Sequence, residues 1–317
     1  MSTNSSVHRG PRLKLRRQLR LDGWNDRAIA SMVASKQWVR IRAGAYVDAG
    51  AWRALDLAGK HELRVRAVLL QSKTKLIASH CSAMPFYEGP TWGLDLDRVH
   101  GTRMDGKAGR CEAGVQQHRG AIRDGDVVER HGVSVMSAAR TGLEVTTVVP
   151  TEAALVAVNH LLHAGHTTVE EMRERYEQGM VFWKGTLATD LVLRLADASV
   201  ESVGESRFFY FCYAHGLPAP MPQYEVYDDA GQLIGRVDFA WPDLGIFVEF
   251  DGRVKYEKLL KPGQSASDVV VREKRREERI VEATGWACIR VTWADLGNPE
   301  ALLERICRAM GRRARIA

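Results

Sequence analysis

Apolar and polar positions change period several times along the chain, and each change marks an element. In Asn25–Lys36, Ile29, Met32 and Val33 fall at i, i+3 and i+4 behind an Asn cap and a first-turn Asp26. That spacing predicts a short amphipathic helix. Over Gln37–Asp48 the period becomes two. Trp38, Arg40 and Arg42 alternate with Val39 and Ile41, Ala43-Gly44 supplies a turn, and Ala45-Tyr46-Val47 returns. A helix followed by a basic hairpin is the outline of a winged helix-turn-helix, in which a helix enters the major groove and the hairpin lies along phosphates. The same outline fits any small α+β domain with an exposed basic hairpin.

The middle of the chain is less patterned. Glycine- and charge-rich His100–Gly114 reads as loop, and Val148–Gly165 as a helix with Thr151 as its cap. His160 and His163 share a helical face and His166 follows. Two histidines make an incomplete metal site, so packed or surface imidazoles are expected there.

From about Thr186 the pattern is that of an α/β sandwich. Gly204–Pro220 predicts a helix with an aromatic face, stopped by His215-Gly216. Met221–Trp241 predicts a hairpin about Asp229-Ala230-Gly231, and Leu244–Gly252 a strongly apolar strand. Ser267–Gly285 is a helix ended by glycine, Trp286–Trp293 a fourth strand, and Asn298–Met310 a closing helix with Asn298 as cap and Pro299 in its first turn. Three acids stand out inside this apolar pattern. Alternation puts Val237, Phe239 and Trp241 on one face and Asp238 on the other. It puts Ile246, Val248 and Phe250 on one face and Glu249 and Asp251 on the other. Paired as a hairpin, the two strands bring Asp238 and Glu249 to neighbouring positions, where like charges repel unless a cation lies between them. A hard divalent ion, Mg²⁺ or Mn²⁺, held by Asp238, Glu249 and Asp251 resolves the conflict. With Lys255 just beyond, these are the parts for activating water against a phosphodiester. The alternative is structural: Asp238 paired with Arg236 or Arg290, Asp251-Gly252 as turn residues, and Lys255 solvated.

Composition sets limits on this picture. The 317 residues are enough for two or three domains, and 45% hydrophobic with 26% charged residues is ordinary globular composition. The formal charge is +6; the first twenty residues hold no acid, and Arg9–Arg20 packs six Arg/Lys into twelve positions. That clustering fits a polyanionic partner. Five cysteines without C-x-x-C spacing support neither a zinc knuckle nor a disulfide framework. With no apolar run near the ~18–20 residues that span a bilayer, and no secretory leader, a cytoplasmic protein is expected. Walker-type and Ser-hydrolase motifs are absent from the sequence.

Two resemblances sharpen the reading. "DRAIASMVASKQWVRIRAGAYV" resembles the N-terminal winged helix of the AbiEi family of type IV antitoxins. A fainter likeness continues through "GVSVMSAARTGLEVTTVVP", where Gly142-Leu143-Glu144 replaces the family's Leu-x-Asp after Arg-Thr. "GESRFFYFCYAHGLPAPMPQYEV", "GRVDFAWPDLGIFVEFDGRVKY" and "REKRREERIVEATGWACIRVTWADL" resemble the PD-(D/E)XK endonuclease domains related to very-short-patch repair nucleases. That likeness implies Asp238 and Glu249 as metal-binding acids, Glu205 as the helical acid completing the site, Asp251 as a further ligand or orienter, and Lys255 and Arg276 as basic groups of the catalytic set, with Lys274 second to Arg276. It departs from the family pattern at Asp251, where a (D/E)XK motif starting at Glu249 has Lys.

The expectation is therefore a multidomain α/β and α+β protein. Residues 12–85 form a winged helix, 86–178 a small middle α+β domain, and 186–317 a PD-(D/E)XK-like α/β sandwich with a central mixed sheet. Arg27, Lys36, Arg40 and Arg42 are the side chains expected on nucleic acid. The expected function is Mg²⁺- or Mn²⁺-dependent cleavage of DNA in phage defence, a toxin–antitoxin pair or repair, with DNA and a toxin or other defence protein as partners. The alternative is a non-catalytic DNA-binding antitoxin or repressor with a degenerate nuclease fold.

Overall fold

The chain's computed structural model describes residues 10–251 and 266–313, with side chains described through 251 and from 274 to 311. Two units, Met1–Ala196 and Asp197–Ala317, make up the fold. It is a mixed α/β architecture, and no helix among the described residues is long and apolar enough to cross a membrane.

The first unit opens with β1 (Lys14–Leu15), α1 (Arg16–Leu21) and α2 (Asp26–Ala34). Asn25 caps α2 by accepting the Ala28 N–H at 2.8 Å, which satisfies one of the helix's open donors. The hairpin follows as β2 (Trp38–Arg42) and β3 (Ala45–Asp48), joined at Gly44, whose φ of 74° suits a residue without Cβ. The three strands form a sheet in the order β1-β3-β2. Leu19, Ile29, Trp38 and Tyr46 make its small core. After α3 (Ala49–Ala54), α4 (Leu57–Gln71) links two cores: Ala67 packs with Leu15 and Ala45, while Val65 and Val68 pack with the sheet that follows.

That second sheet has six strands: β4 (Leu76–Ala78), β5 (Val99–Arg103), β6 (Cys111–Glu112), β7 (Val115–Arg119), β8 (Val127–Arg130) and β9 (Val133–Met136). Their order is β6-β7-β5-β4-β9-β8, with parallel pairing at β5–β7 and β4–β9 and antiparallel pairing elsewhere. The segment from His100 therefore begins as a buried strand, not a loop. Gly101 and the polar His100, Thr102 and Arg103 hid it from a hydropathy reading. Helices α5 (Ala138–Thr146), α6 (Thr151–His163), α7 (Val169–Gly179) and α8 (Leu187–Leu195) complete the unit. Thr151 is the first residue of α6 and Pro150 takes the cap position, so the expected Thr cap moves by one residue.

The second unit runs α9 (Val203–Ala214), β10 (Met221–Tyr227), β11 (Leu233–Trp241), β12 (Ile246–Asp251), α10 (Ala266–Thr284), β13 (Ala287–Thr292), the short α11 (Trp293–Leu296) and α12 (Pro299–Arg313). Its sheet order is β10-β11-β12-β13, antiparallel except for the parallel β12–β13 pair. One core joins Phe208, Phe211, Phe239, Trp241, Val248, Phe250 and Ile306, so α9 and α12 share it. Another joins Val226, Val237, Ala240, Phe247 and Ile280, covered by α10. Burying each such aromatic contributes about 1.5–3 kcal/mol. α9 approaches β12 so closely that a Cβ on Gly204 would lie 2.1 Å from Phe250 Cε1.

Two outcomes follow from this packing. Gly204→Ala should destabilise the second unit by about 1–3 kcal/mol in denaturant unfolding, because ring or helix must move to admit the methyl. In the first unit His61 is wholly buried between Leu96 O (2.9 Å) and Ser82 Oγ (2.8 Å), and burial pulls its imidazole from 6.5 down to about 4. The unfolded chain takes this proton first, so stability is full above 6.5 and should fall as pH drops toward 4. Unfolding midpoints should show that decline, with a shallower one in His61→Gln.

Candidate functional site

The acids of the second unit cluster where its sheet changes habit. β11 and β12 pair from Trp241–Ile246 to Phe239–Val248, and continuing that register by one position sets Asp238 opposite Glu249. There the Asp238 carboxylate takes the place of a ladder acceptor: its Oδ2 receives the Phe250 N–H at 2.7 Å. On the other side, Gln223 stands between the Pro222–Phe239 and Tyr224–Val237 pairs, across from Asp238, with a left-handed φ of 50°. Side-chain alternation breaks at this point. Phe239 and Trp241 enter the core shared with α9, whereas Val237 enters the one covered by α10. The expected common face of Val237, Phe239 and Trp241 is thus corrected; a left-handed residue in the partner strand shifts the pleat.

Glu205 is fully buried in the first turn of α9, and its contacts explain how a carboxylate survives there. Oε1 accepts the Ser202 hydroxyl at 2.6 Å; Oε2 accepts the Glu201 N–H at 3.1 Å and the Gln223 amide at 2.9 Å. Ser202 Oγ in turn accepts the Glu205 N–H at 3.2 Å. Glu205 therefore caps its own helix and ties it, through Gln223, to the strand position beside Asp238. Nothing in the pattern around Gln223 marks it as part of the site.

Glu249 is met from α10. Arg276 Nη2 donates to Glu249 Oε1 at 2.8 Å, its stem passing over Gly235, where a Cβ would stand 3.0 Å from Arg276 Cδ. Arg276 Nε is buried and makes no hydrogen bond among the described residues. The arginines considered as partners for Asp238 are engaged elsewhere, Arg236 with Glu201 at 2.7 Å and Arg290 with Glu277. Arg290 stands at the Glu249 level of the parallel β12–β13 pair and Asp251 at the Thr292 level. Hydrogen bonding to Glu277 raises the Arg290 guanidinium, with a smaller contribution from Asp251. Lys274 is exposed and pairs with Glu278 at 3.9 Å, whereas Arg276 reaches Glu249. Lys255 lies outside the described residues. The acids share one row, yet among the described residues no three of them bring ligand atoms within 4.8 Å of one another. The Phe250 N–H braces Asp238 and the Arg276 guanidinium braces Glu249.

In the first unit Arg27, Lys36 and Arg40 are exposed, and Arg42 is half-buried, its guanidinium pulled down by desolvation. Arg27 lies on α2, Lys36 follows that helix at φ 58°, and Arg40 and Arg42 occupy the edge strand β2. The one acid beside Arg27, Asp26, is held by Arg16 at 2.6 Å. Of the histidines in and after α6, His160 bonds Tyr87 O at 3.0 Å and His166 meets Arg130 at 3.0 Å.

No family model matches the chain. Two uncharacterized proteins of Mycobacterium tuberculosis, from strains CDC 1551 / Oshkosh and H37Rv, are each 33% identical to it over 135 residues. The aligned stretch covers 42% of this chain and 46% of each relative, so the chain spans less than half of their length.

The cap network generates a stability expectation separate from any chemistry. Glu205→Ala strands the Gln223 amide, the Ser202 hydroxyl and the Glu201 N–H, and should cost about 1–3 kcal/mol or more. Denaturant midpoints of the variant measure it, and Glu205→Gln should recover part of the loss.

Proposed function

We propose that the chain is a DNA-binding protein whose second unit hydrolyses phosphodiester bonds with Mg²⁺ or Mn²⁺. One observation carries the reading: continuing the β11–β12 register one position past its last pair sets Asp238 opposite Glu249, with the Phe250 N–H on the first carboxylate and the Arg276 guanidinium on the second. Side-by-side carboxylates repel, and a hard divalent ion neutralises them while accepting a phosphate oxygen and a water in its remaining positions. The ion then lowers the pKa of that water and balances the charge that develops on phosphorus. Arg276 has a matching role. Its Nη2 pairs with Glu249 in the metal-free protein, and once a metal takes that carboxylate the guanidinium is released to a phosphate oxygen. Asp238, fixed by the Phe250 N–H, contributes the second carboxylate of the metal site. Glu205 acts one step removed, by holding Gln223 and the start of α9 against the site.

In this reading the first unit supplies affinity. Arg27, Lys36, Arg40 and Arg42, on a capped helix and the edge strand beside it, form a winged-helix surface whose cations release counterions on a duplex. The likeness of this segment to AbiEi-type antitoxins and of the second unit to very-short-patch-like PD-(D/E)XK nucleases supports the same division of labour, and a defence or repair setting.

A second reading has its own observation. Asp251 stands where a (D/E)XK site has Lys, and Arg276 already neutralises Glu249. A domain of that kind binds DNA without cutting it, as an antitoxin or repressor does.

Plasmid incubation decides between them. Purified protein should nick supercoiled DNA with Mg²⁺ or Mn²⁺ and not with EDTA, and Asp238→Ala or Glu249→Ala should abolish nicking while leaving the gel shift within about twofold. Binding without strand breaks under every metal condition selects the repressor. Equal nicking by both variants removes the acids from the mechanism.

A further inference from the structure

Among the described residues, one group of three ligand-type side chains lies within coordination reach, in the first unit. His80, His100 and His118 each offer a ring nitrogen within 4.8 Å of those of the other two. They come from three places that the sheet brings together. His80 follows β4 at the start of a short 3-10 turn (His80–Ser82), His100 lies on β5, and His118 on β7. β5 pairs antiparallel with β4 and parallel with β7, which sets the three positions side by side. His80 and His100 are buried and His118 is half-buried, so the cluster is enclosed on all but one side.

Two of its ring nitrogens already stand at the spacing of neighbouring ligands. His100 Nδ1 and His118 Nε2 stand 3.0 Å apart, and the His80 ring stacks on His118 with centroids 3.7 Å apart. An ion about 2.0–2.1 Å from each imidazole nitrogen sets neighbouring ligand atoms roughly 3 Å apart, the separation that pair already has. The other edge of His80 is held from behind. Its Nδ1 lies 3.0 Å from Ser79 Oγ and 3.4 Å from Glu144 Oε2, which leaves Nε2 to coordinate. Glu144 is itself fully buried and fixed: Arg140 Nε donates to its Oε1 at 2.9 Å, and the His80 backbone N–H donates to Oε2 at 3.2 Å. A buried carboxylate behind a ligating histidine is the arrangement that orients imidazole for zinc. His80 also adopts a left-handed φ of 53°, a strained choice for a side chain this bulky.

We propose that His80, His100 and His118 form a binding site for a divalent transition metal of the zinc class, with Glu144 as the carboxylate that positions His80. Imidazole donors suit Zn²⁺, Co²⁺ or Ni²⁺ rather than the hard Mg²⁺ proposed for the acid row, so the two sites take different metals. The half-buried side at His118 leaves a fourth position for water or an exogenous donor, the pattern of an open rather than a closed zinc site.

The test uses the full chain, stripped by chelator and desalted, then titrated with Zn²⁺ alone and, separately, with Co²⁺ followed by its visible spectrum. One equivalent of zinc should survive desalting, and Co²⁺ should give d–d bands. His118→Ala, a half-buried position, and His100→Gln should each weaken zinc by more than the roughly 10–100-fold that loss of an outer partner costs. Both should keep the wild-type circular dichroism spectrum. His160→Ala, outside the cluster, should leave affinity unchanged. No retained zinc in the wild type would overturn the proposal and leave the three rings as a hydrogen-bonded group only. Undiminished zinc in His118→Ala and His100→Gln would also overturn it, by assigning the ion to other ligands, the acids of the second unit among them.

Discussion

The second unit depends on how a sheet accommodates charge at the edge of its own core. Asp238 does it by becoming part of the backbone ladder: its carboxylate receives the Phe250 N–H one position beyond the last β11–β12 pair. A buried N–H without an acceptor costs about 1–3 kcal/mol, so this bond ties the acid's orientation to the pairing of the strands themselves. Glu249 is then fixed beside it by the same register, and Glu205 by the cap of α9 and its Gln223 contact. The fold and the candidate site are one set of constraints here.

Much of this was legible in the sequence, for identifiable reasons. Asn25, Gly44, Gly216 and Gly285 mark ends and turns through local chemistry that needs no tertiary partner, and all four stand where that chemistry puts them. The antiparallel pairing of β11 with β12 followed from the short turn between them. The inward reach of Arg276 followed from its spacing to Ile280, which is buried beneath the same helix.

What escaped was nonlocal. Alternation placed Val237 with Phe239 and Trp241, because nothing in β11 itself announces that Gln223 on the neighbouring strand is left-handed. Arg236 and Arg290 were open as partners for Asp238, but Glu201 and Glu277 pair with those arginines in space. The histidine cluster was invisible for a related reason. His80, His100 and His118 are separated by long stretches, one lies in a segment whose glycine and charge read as loop, and only the β4-β5-β7 order makes them neighbours. Glu205 was legible as an acid at a helix start, while its capping bonds to Ser202 and Glu201 needed the fold.

The two units divide their polar groups by hardness. Carboxylates with a guanidinium gather in one, imidazoles backed by a carboxylate in the other, and a hard and a borderline ion are the species each set prefers. The claim on which the functional account turns is that the Asp238–Glu249 pair holds the hard ion. Anomalous diffraction from crystals soaked in Mn²⁺ tests it at the atoms concerned. The account predicts a manganese peak within coordination distance of one oxygen from each of Asp238 and Glu249, with Arg276 swung off Glu249. Density with no such peak, and Arg276 still on Glu249, would contradict it.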